Sequence, residues 1–329
     1  METGRRRLPV LSAGLTVLWL LGRLLGDGHL VTALLFYLPS LGVAAAWLLV
    51  GALGHGRKIR IAALVLAGLL LSDVYFRDFK PKDATPTADT QATTLELVHW
   101  NVFRNYLPWT AKIRRLRELE ADIYVLNELP RQVTRGNWAL KLGPGFNYAF
   151  GDLMVVGCRG TVKAQSFQAG DGLQILKTVC RIDGRDLHIW AVDVVANPLQ
   201  WRNPILKRLT AQIEAERPDF VVGDMNTPRR ASPLQDLPAP YVHAYDVAGT
   251  GLPYTWPTPF PVIDLDQLVL GPDIDAARLD YRSTPVSDHR LQVLRFRVRP
   301  GESSGTGTPD ADQHRSSPED DGAVDQPQK

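Results

Sequence analysis

Apolar residues fall into two regimes along this chain. Between Leu8 and Tyr75 they form three long runs, Leu8–Leu25, Leu30–Leu53 and Ile61–Tyr75. The runs are separated by Gly26-Asp27-Gly28-His29 and by Gly54-His55-Gly56-Arg57-Lys58. Between Leu95 and Val298 they form short stretches instead, several of them alternating with polar residues. Long runs predict membrane helices, because a bilayer core needs about 20 apolar residues in a row. Short, alternating stretches predict strands half-buried in a sheet.

Three runs in succession exceed what a cleaved signal peptide explains. Residues 1–76 are therefore expected to form a membrane anchor of about three helices. Arg23 would be costly at mid-bilayer and is expected to snorkel toward an interface. Basic residues set the topology: Arg5-Arg6-Arg7 precede the first run and Arg57-Lys58-Ile59-Arg60 lie between the second and third, while the first loop has no Lys or Arg. The positive-inside rule puts both clusters in the cytoplasm and, with three spans, the rest of the chain outside. Residues 77–94 lack apolar periodicity and read as a linker. Residues 301–329 are Ser, Gly, Pro and acid with almost no large apolar side chain, and read as a disordered tail. One folded domain remains, residues 95–300.

Within it, Leu95–Asn101 alternates so that Leu95, Leu97, His99 and Asn101 share a face. Thr110 fits a helix N-cap, followed by Ile113, Leu116 and Leu119 on one side and Lys112, Arg114, Arg115 and Arg117 on a solvated basic side. Strands are expected over 122–128, 153–158, 173–180, 187–193, 220–226, 265–270 and 291–298, with Asp183-Gly184 as a hairpin turn. Asn203-Pro204 caps and opens a second helix through Ile205, Leu206, Leu209 and Ile213. Many strands with a few outer helices imply two packed sheets covered by helical layers.

The chemistry lies at strand ends. Asn101, Glu128, Asp224 with Asn226, and Ser287-Asp288-His289 all flank buried apolar runs. Any one of them passes for turn chemistry, since Gly-Asp-x-Asn and Ser-Asp-His suit turns. Together they form the set of hard oxygen ligands that Mg²⁺ prefers, beside an imidazole able to carry charge near neutrality. The net charge of +2 offers no whole-protein case for nucleic acid. Cys158 and Cys180 have no second Cys or His at zinc-ligand spacing, and whether they pair is left open.

His-Trp-Asn-Val (99–102), Val-Leu-Asn-Glu (125–128), Val-Gly-Asp-Met-Asn (222–226), Leu-Asp-Gln-Leu-Val (265–269) and Ser-Asp-His (287–289) resemble, in order and spacing, the endonuclease/exonuclease/phosphatase superfamily. Thr255-Trp256-Pro257 and Asp246 add to the likeness, and the spans resemble a bacterial membrane-anchored branch. The resemblance implies an α+β fold, a four-layer α/β-sandwich of two mostly antiparallel sheets with outer helices. It implies Mg²⁺, with Mn²⁺ as a substitute, held by Glu128 with Asn101 and Asp288. Asp224 would position or deprotonate the attacking water, Asn226 orient it or the phosphate, His289 contact the phosphate and Asp266 hold the imidazole. Asp264 competes with Asp266 for that last role.

Two departures stand out. Asn127 replaces the usual Gln before the Glu. Asp193 stands near where an Asn-x-His histidine is common, and is expected to act as an orienting acceptor or an outer-shell metal partner; His188 is at the wrong end of its strand, and Asn197 is the other candidate. The expected activity is a membrane-anchored, Mg²⁺-dependent phosphoric ester hydrolase acting on nucleic acid, a phospholipid headgroup or a small phosphoester, with no protein partner implied. The alternatives are an inactive binding module on the same fold, and a membrane scaffold or transport component.

Overall fold

The computed structural model describes residues 2–54, 56–81, 94–103, 108–131, 142–143 and 145–299. The disordered tail expected over 301–329 and most of the linker lie outside them. Strands in chain order are β1 (Leu95–Asn101), β2 (Ile123–Asn127), β3 (Phe146–Phe150), β4 (Val155–Arg159), β5 (Thr161–Gly170) and β6 (Leu173–Ile182). Then follow β7 (Arg185–Val194), β8 (Phe220–Asp224), β9 (Val242–His243), β10 (Asp266–Leu270), β11 (Ile274–Arg282) and β12 (Leu291–Val298). Helices are α1 (Glu2–Leu25), α2 (Leu30–Phe36), α3 (Ser40–Leu53), α4 (Arg57–Asp78), α5 (Trp109–Arg117), α6 (Asn203–Glu216), α7 (Ser232–Gln235) and α8 (Ala244–Ala248).

The strands form two sheets, ordered β11-β12-β1-β2-β4-β3 and β5-β6-β7-β8-β10-β9. At the centre of each sheet is one parallel pair, β1 with β2 and β7 with β8; the other described pairings are antiparallel. The two parallel pairs deliver four carboxyl ends to one rim, where β10 and β12 begin. This is the α+β sandwich expected from the pattern.

Alternation decides what fills the seam between the sheets. Leu95, Leu97, Ile123, Val125, Leu187, Ile189, Ala191, Phe220, Val222, Leu268, Leu294 and Phe296 form its core, with the free, buried Cys158 and Cys180 among them. The residues of opposite parity pack outward. Val98, Trp100, Tyr124 and Leu126 meet Ile113 and Leu116 of α5, and Trp190, Val192 and Val221 meet Ile205, Leu206, Leu209 and Ile213 of α6. Gly223 is required by close approach: a Cβ there would lie 1.8 Å from the Val192 carbonyl oxygen of β7.

Some local expectations change. The N-cap of α5 is Pro108 rather than Thr110, and that of α6 is Arg202, with Asn203 already inside the helix. Lys112 is not on a solvated face. It is fully buried, and its Nζ donates to the carbonyl oxygens of Val102 and Phe103, tying α5 to the turn after β1. The middle apolar run is not one straight helix: it breaks at Tyr37-Leu38-Pro39 into α2 and α3, bent by 57°. Pro39 lacks the N–H that a continuous helix needs and disfavours helical geometry at Leu38. Two helices, Arg7–Leu25 and Arg57–Asp78, are long and apolar enough to cross a membrane, or three if the bent pair counts as one span.

These helices pack on one another and on the sandwich. Trp47 Nε1 donates to Thr16 Oγ1 at 2.7 Å, and Trp19 Nε1 to Ser40 Oγ at 3.2 Å. Arg23 donates to Ser40 Oγ at 3.3 Å and lies over the Trp19 and Phe36 rings. Asp27, beyond the end of α1, is buried against the sandwich and accepts from Asn203 Nδ2 and from the Ser232 amide and hydroxyl. Asp78, at the end of α4, accepts from Tyr254 Oη at 2.7 Å and Arg230 Nε at 3.0 Å. Lys80, within the expected linker, bridges to Gly251.

Candidate active site

Toward the rim, inward positions stop being apolar. The parity that buries Leu95 and Leu97 also buries His99 and Asn101, and the same continuation along the other strands brings Asn127, Asp224, Asp266 and Gln292 inward. Asp193 follows Ala191 in parity and lies in register with Asp224 across the parallel β7–β8 pair. So much buried polarity survives only with partners.

The partners are largely one another. Asn101 Nδ2 donates to Asp224 Oδ2 at 2.9 Å and to Glu128 Oε1 at 3.3 Å. Asp224 Oδ1 accepts from the Asn226 amide at 2.8 Å, and Asn226 Nδ2 donates to the Val194 carbonyl at 2.8 Å. His289 Nδ1 meets Asp266 Oδ2 at 2.7 Å, while its Nε2 lies 4.0 Å from Asp224 Oδ2. An acid on Nδ1 fixes the tautomer and leaves Nε2 to face the cleft. Ser287 Oγ accepts from the His289 amide and donates to the Asn101 carbonyl, so the 287–289 turn is tied to the end of β1. Trp100 Nε1 also holds the His289 carbonyl, at 3.1 Å.

A second row of groups positions the first. Thr255 Oγ1 accepts the amides of Leu265 and Asp266 at the start of β10. Gln292 Nε2 donates to the Asp266 carbonyl, and Gln292 Oε1 meets His99 Nδ1 at 2.9 Å. His99 Nε2 meets Asn127 Oδ1 at 3.1 Å, and Asn127 Nδ2 donates to the Val192 carbonyl at 2.7 Å. The shorter amide of Asn127 therefore bridges the two sheets. Glu128 and Asn226, the residues aimed from the ends of their strands, have φ of +56° and +48°. Non-glycine residues adopt this left-handed region at a cost, which the surrounding bonds offset here.

Charge follows from this layout. Burial pushes the Asp224 carboxyl up to about 7, with the Asp266 charge adding to the effect against the pull of His289, the Asn226 amide and Asn101. Burial opposes charge on His289, but Asp266, with Asp224 and Asp288 behind it, lifts the imidazole to about 10. Asp266 is held below the usual carboxylate range because His289 outweighs its burial. His99 is lowered by burial, so the two imidazoles near Asp266 divide into a charged one and a neutral one.

Asp264 lies apart from the imidazole. Its Oδ2 accepts from the Arg229 amide at 3.3 Å, and Arg229 in turn pairs with Asp246 at 2.7 Å. Asn197 Oδ1 accepts from the Leu199 amide in an exposed turn, and His188 is exposed near the other end of β7. The positioning role of Gln292 and the link that His99 makes between Gln292 and Asn127 escaped sequence reasoning, although the inward parity of Gln292 with Leu294 and Phe296 was a usable signal.

Two carboxylate oxygens, Asp266 Oδ1 and Asp288 Oδ1, are buried without a hydrogen-bond partner. Asp224, Asp266 and His289 also offer ligand atoms within 4.8 Å of one another. Unpartnered buried anionic oxygens beside other carboxylates suit a hard divalent cation. This donor set suits a divalent cation and shares only Asp288 with the Glu128, Asn101 and Asp288 expected as ligands.

No family model matches the sequence, and no curated protein matches it. Solved structures do match in fold. A functionally unknown conserved protein from Enterococcus faecalis aligns with a TM-score of 0.53 at 11% identity, covering 62% of this chain and 100% of that one. An endonuclease/exonuclease/phosphatase from Bacteroides vulgatus aligns at 0.51 and 14% identity, covering 63% and 100%. D. rerio TDP2 complexed with single-strand DNA product aligns at 0.51 and 17% identity, again covering 63% and 100%. With two mixed sheets and outer helices, the chain shares the fold of these solved structures.

Proposed function

We propose that this chain is a membrane-anchored, Mg²⁺-dependent phosphoesterase. The observation that carries the reading is the linked set Glu128–Asn101–Asp224 facing Asp266–His289 across the open end of the seam. Its fold neighbours include a protein complexed with a DNA product, which supports a phosphoester as the substrate class. The apolar helices support the anchor, and their flanking basic residues support a domain outside the cytoplasm.

Glu128, Asn101 and Asp288 would hold the cation, which supplies charge neutralisation at the phosphoryl oxygens. Asp224, fixed on Oδ1 by the Asn226 amide and on Oδ2 by Asn101, accepts the proton of the attacking water. The water oxygen forms the new P–O bond as the ester P–O bond breaks on the opposite side, and the departing oxygen takes its proton from solvent water at the open rim. His289, kept cationic by Asp266, donates from Nε2 to a non-bridging oxygen as charge builds there. Asp193, beside Asp224 on the same face, serves as an orienting acceptor.

The test is a phosphoesterase panel on the full-length protein in detergent, with bis(p-nitrophenyl) phosphate, p-nitrophenyl phosphate and single-strand DNA. Hydrolysis of at least one ester, lost in His289→Ala by at least roughly a hundredfold, is expected. No hydrolysis by the wild type, or equal hydrolysis by the variant, contradicts the reading.

A further inference from the structure

The anchor does not trail from the sandwich; it docks on the rim that carries the site. Asp27 reaches Asn203 after β7 and Ser232 after β8, and Asp78 reaches Arg230 and Tyr254. A cleft between the two parts is lined by Arg23, Tyr37 and Pro39 on the anchor side and by Pro228, Val262 and Ile263 on the rim side. The loops touched are those that follow β7 and β8 and that precede β10, the same loops that surround Asp224, Asn226 and Asp266.

The lipid-facing surface runs up to this junction. Leu24 and Phe76 are 80% and 83% exposed, close before Asp27 and Asp78. Beyond the junction, the rim continues in kind. Leu199 is 70% exposed two residues before Trp201, whose Nε1 donates to the Asp27 carbonyl. Phe260 is 81% exposed two residues before Val262, which lines the cleft. Trp256, partly exposed, donates its Nε1 to Asp288 in the site itself. Large apolar side chains raised toward solvent beside a membrane anchor belong in the interfacial layer, where an apolar body and a polar neighbour are both accommodated.

Among the described residues, the arginines beside the junction do not make a track for a polyanion. Arg202 and Arg290 donate to backbone carbonyls, Arg229 pairs with Asp246 and Arg230 with Asp78. Strong nucleic-acid binding depends on cations available to phosphates. We infer that the mouth of the site lies against the bilayer, with Leu199 and Phe260 inserted in its interface, and that the substrate is a phosphoester in the headgroup of a membrane lipid. This inference rests on the phosphoesterase reading and adds to it the source of the ester.

The structure supplies its own labelling scheme, because Cys158 and Cys180 are buried. Single Leu199→Cys, Phe260→Cys and Ala277→Cys variants of the full-length protein would carry an environment-sensitive NBD label. Ala277 is exposed at the opposite end of the sandwich, next to the pairing of Ala276 with Phe296. The proteins would be reconstituted in phosphatidylethanolamine, phosphatidylglycerol, cardiolipin and phosphatidic acid vesicles containing a doxyl-labelled lipid. Labels at 199 and 260 should be quenched at least roughly twofold more than the label at 277. In the same vesicles, water should form the new P–O bond as the bond to the diacylglycerol oxygen breaks. Release of diacylglycerol, with phosphate left on the headgroup or freed as orthophosphate from phosphatidic acid, should then accompany turnover of bis(p-nitrophenyl) phosphate. The Leu199→Ser/Phe260→Ser double variant should lower the ratio of lipid to soluble turnover by at least about tenfold. Equal quenching at all three positions overturns the inference, as does an unchanged ratio. Turnover of the soluble ester or of single-strand DNA with the lipids untouched also overturns it, and leaves the phosphoesterase reading standing. If nothing is hydrolysed, both fall.

Discussion

The two ends of the inter-sheet seam are built from the same strands and the same alternation, yet they do opposite things. At the closed end the inward positions are Leu95, Leu187, Phe220 and Phe296, with Phe220 and Phe296 meeting edge to face at 4.9 Å between ring centroids. At the rim the inward positions are His99, Asn101, Asn127, Asp224, Asp266 and Gln292. The closed end gains stability from removing apolar area from water. The rim gives up that contribution and keeps its charges buried through a chain of hydrogen bonds. A single strand such as β8 passes from one role to the other between Val222 and Asp224. What the difference teaches is that the sandwich is a holder: one end stabilises so that the other can keep groups at unusual protonation states.

The largest effect should come from crossing that divide at Asp224. Asp224→Asn keeps the shape and the Asn226 contact, so the melting temperature should hardly move while kcat falls by roughly a thousandfold or more. A large loss of thermal stability alongside the rate would mean that the rim, too, is structural. The converse substitution is Phe296→Ala at the closed end, which should cost about 3–5 kcal/mol of stability. Denaturant unfolding and the activity per folded molecule would be measured together, and the latter should change by less than about twofold.

A smaller effect separates the rim histidine from a buried histidine that has no carboxylate directly on its ring. His243 in β9 meets the Leu234 carbonyl through Nε2 at 2.7 Å, and its Nδ1 is buried without a partner. Burial lowers its pKa to about 4, with the Arg229 charge acting in the same direction. The unfolded chain titrates near the ordinary value of 6.5 and so binds the proton first as pH falls. Its effect is absent above about pH 6.5, grows as pH falls from there, and saturates below about pH 4, at roughly 3 kcal/mol of destabilisation. His243→Gln should flatten the stability profile across that window relative to wild type. Parallel profiles would show that the imidazole does not resist protonation in the folded state.

Much of this was legible in the sequence because the site is written at strand ends. Asn101, Glu128, Asp224, Asn226, Asp266 and His289 each flank an apolar run, and alternation alone puts Asn101 inward. Edge strands were harder. β5 is exposed along nearly its whole length, so it shows no buried face, and β11 has only a weak one. The fully buried Lys112 was misjudged because neighbouring arginines on α5 are solvent-facing and periodicity cannot see the carbonyls of Val102 and Phe103 waiting beneath it. The break at Tyr37-Leu38-Pro39 was marked by Pro39, but an apolar run on both sides concealed it. The docking of Asp27 and Asp78 on the rim is a tertiary fact with no local signal.

The most direct test of the rim as a hydrolytic centre is metal dependence through Glu128. The full-length protein in detergent would be stripped with chelator and assayed on bis(p-nitrophenyl) phosphate during Mg²⁺ titration, beside Glu128→Gln. The account predicts no turnover in chelator, recovery on adding Mg²⁺, and at least a roughly hundredfold lower maximal rate for the variant with its fold intact. Wild-type turnover that persists undiminished in excess chelator, or a Glu128→Gln protein as active as wild type, would contradict it.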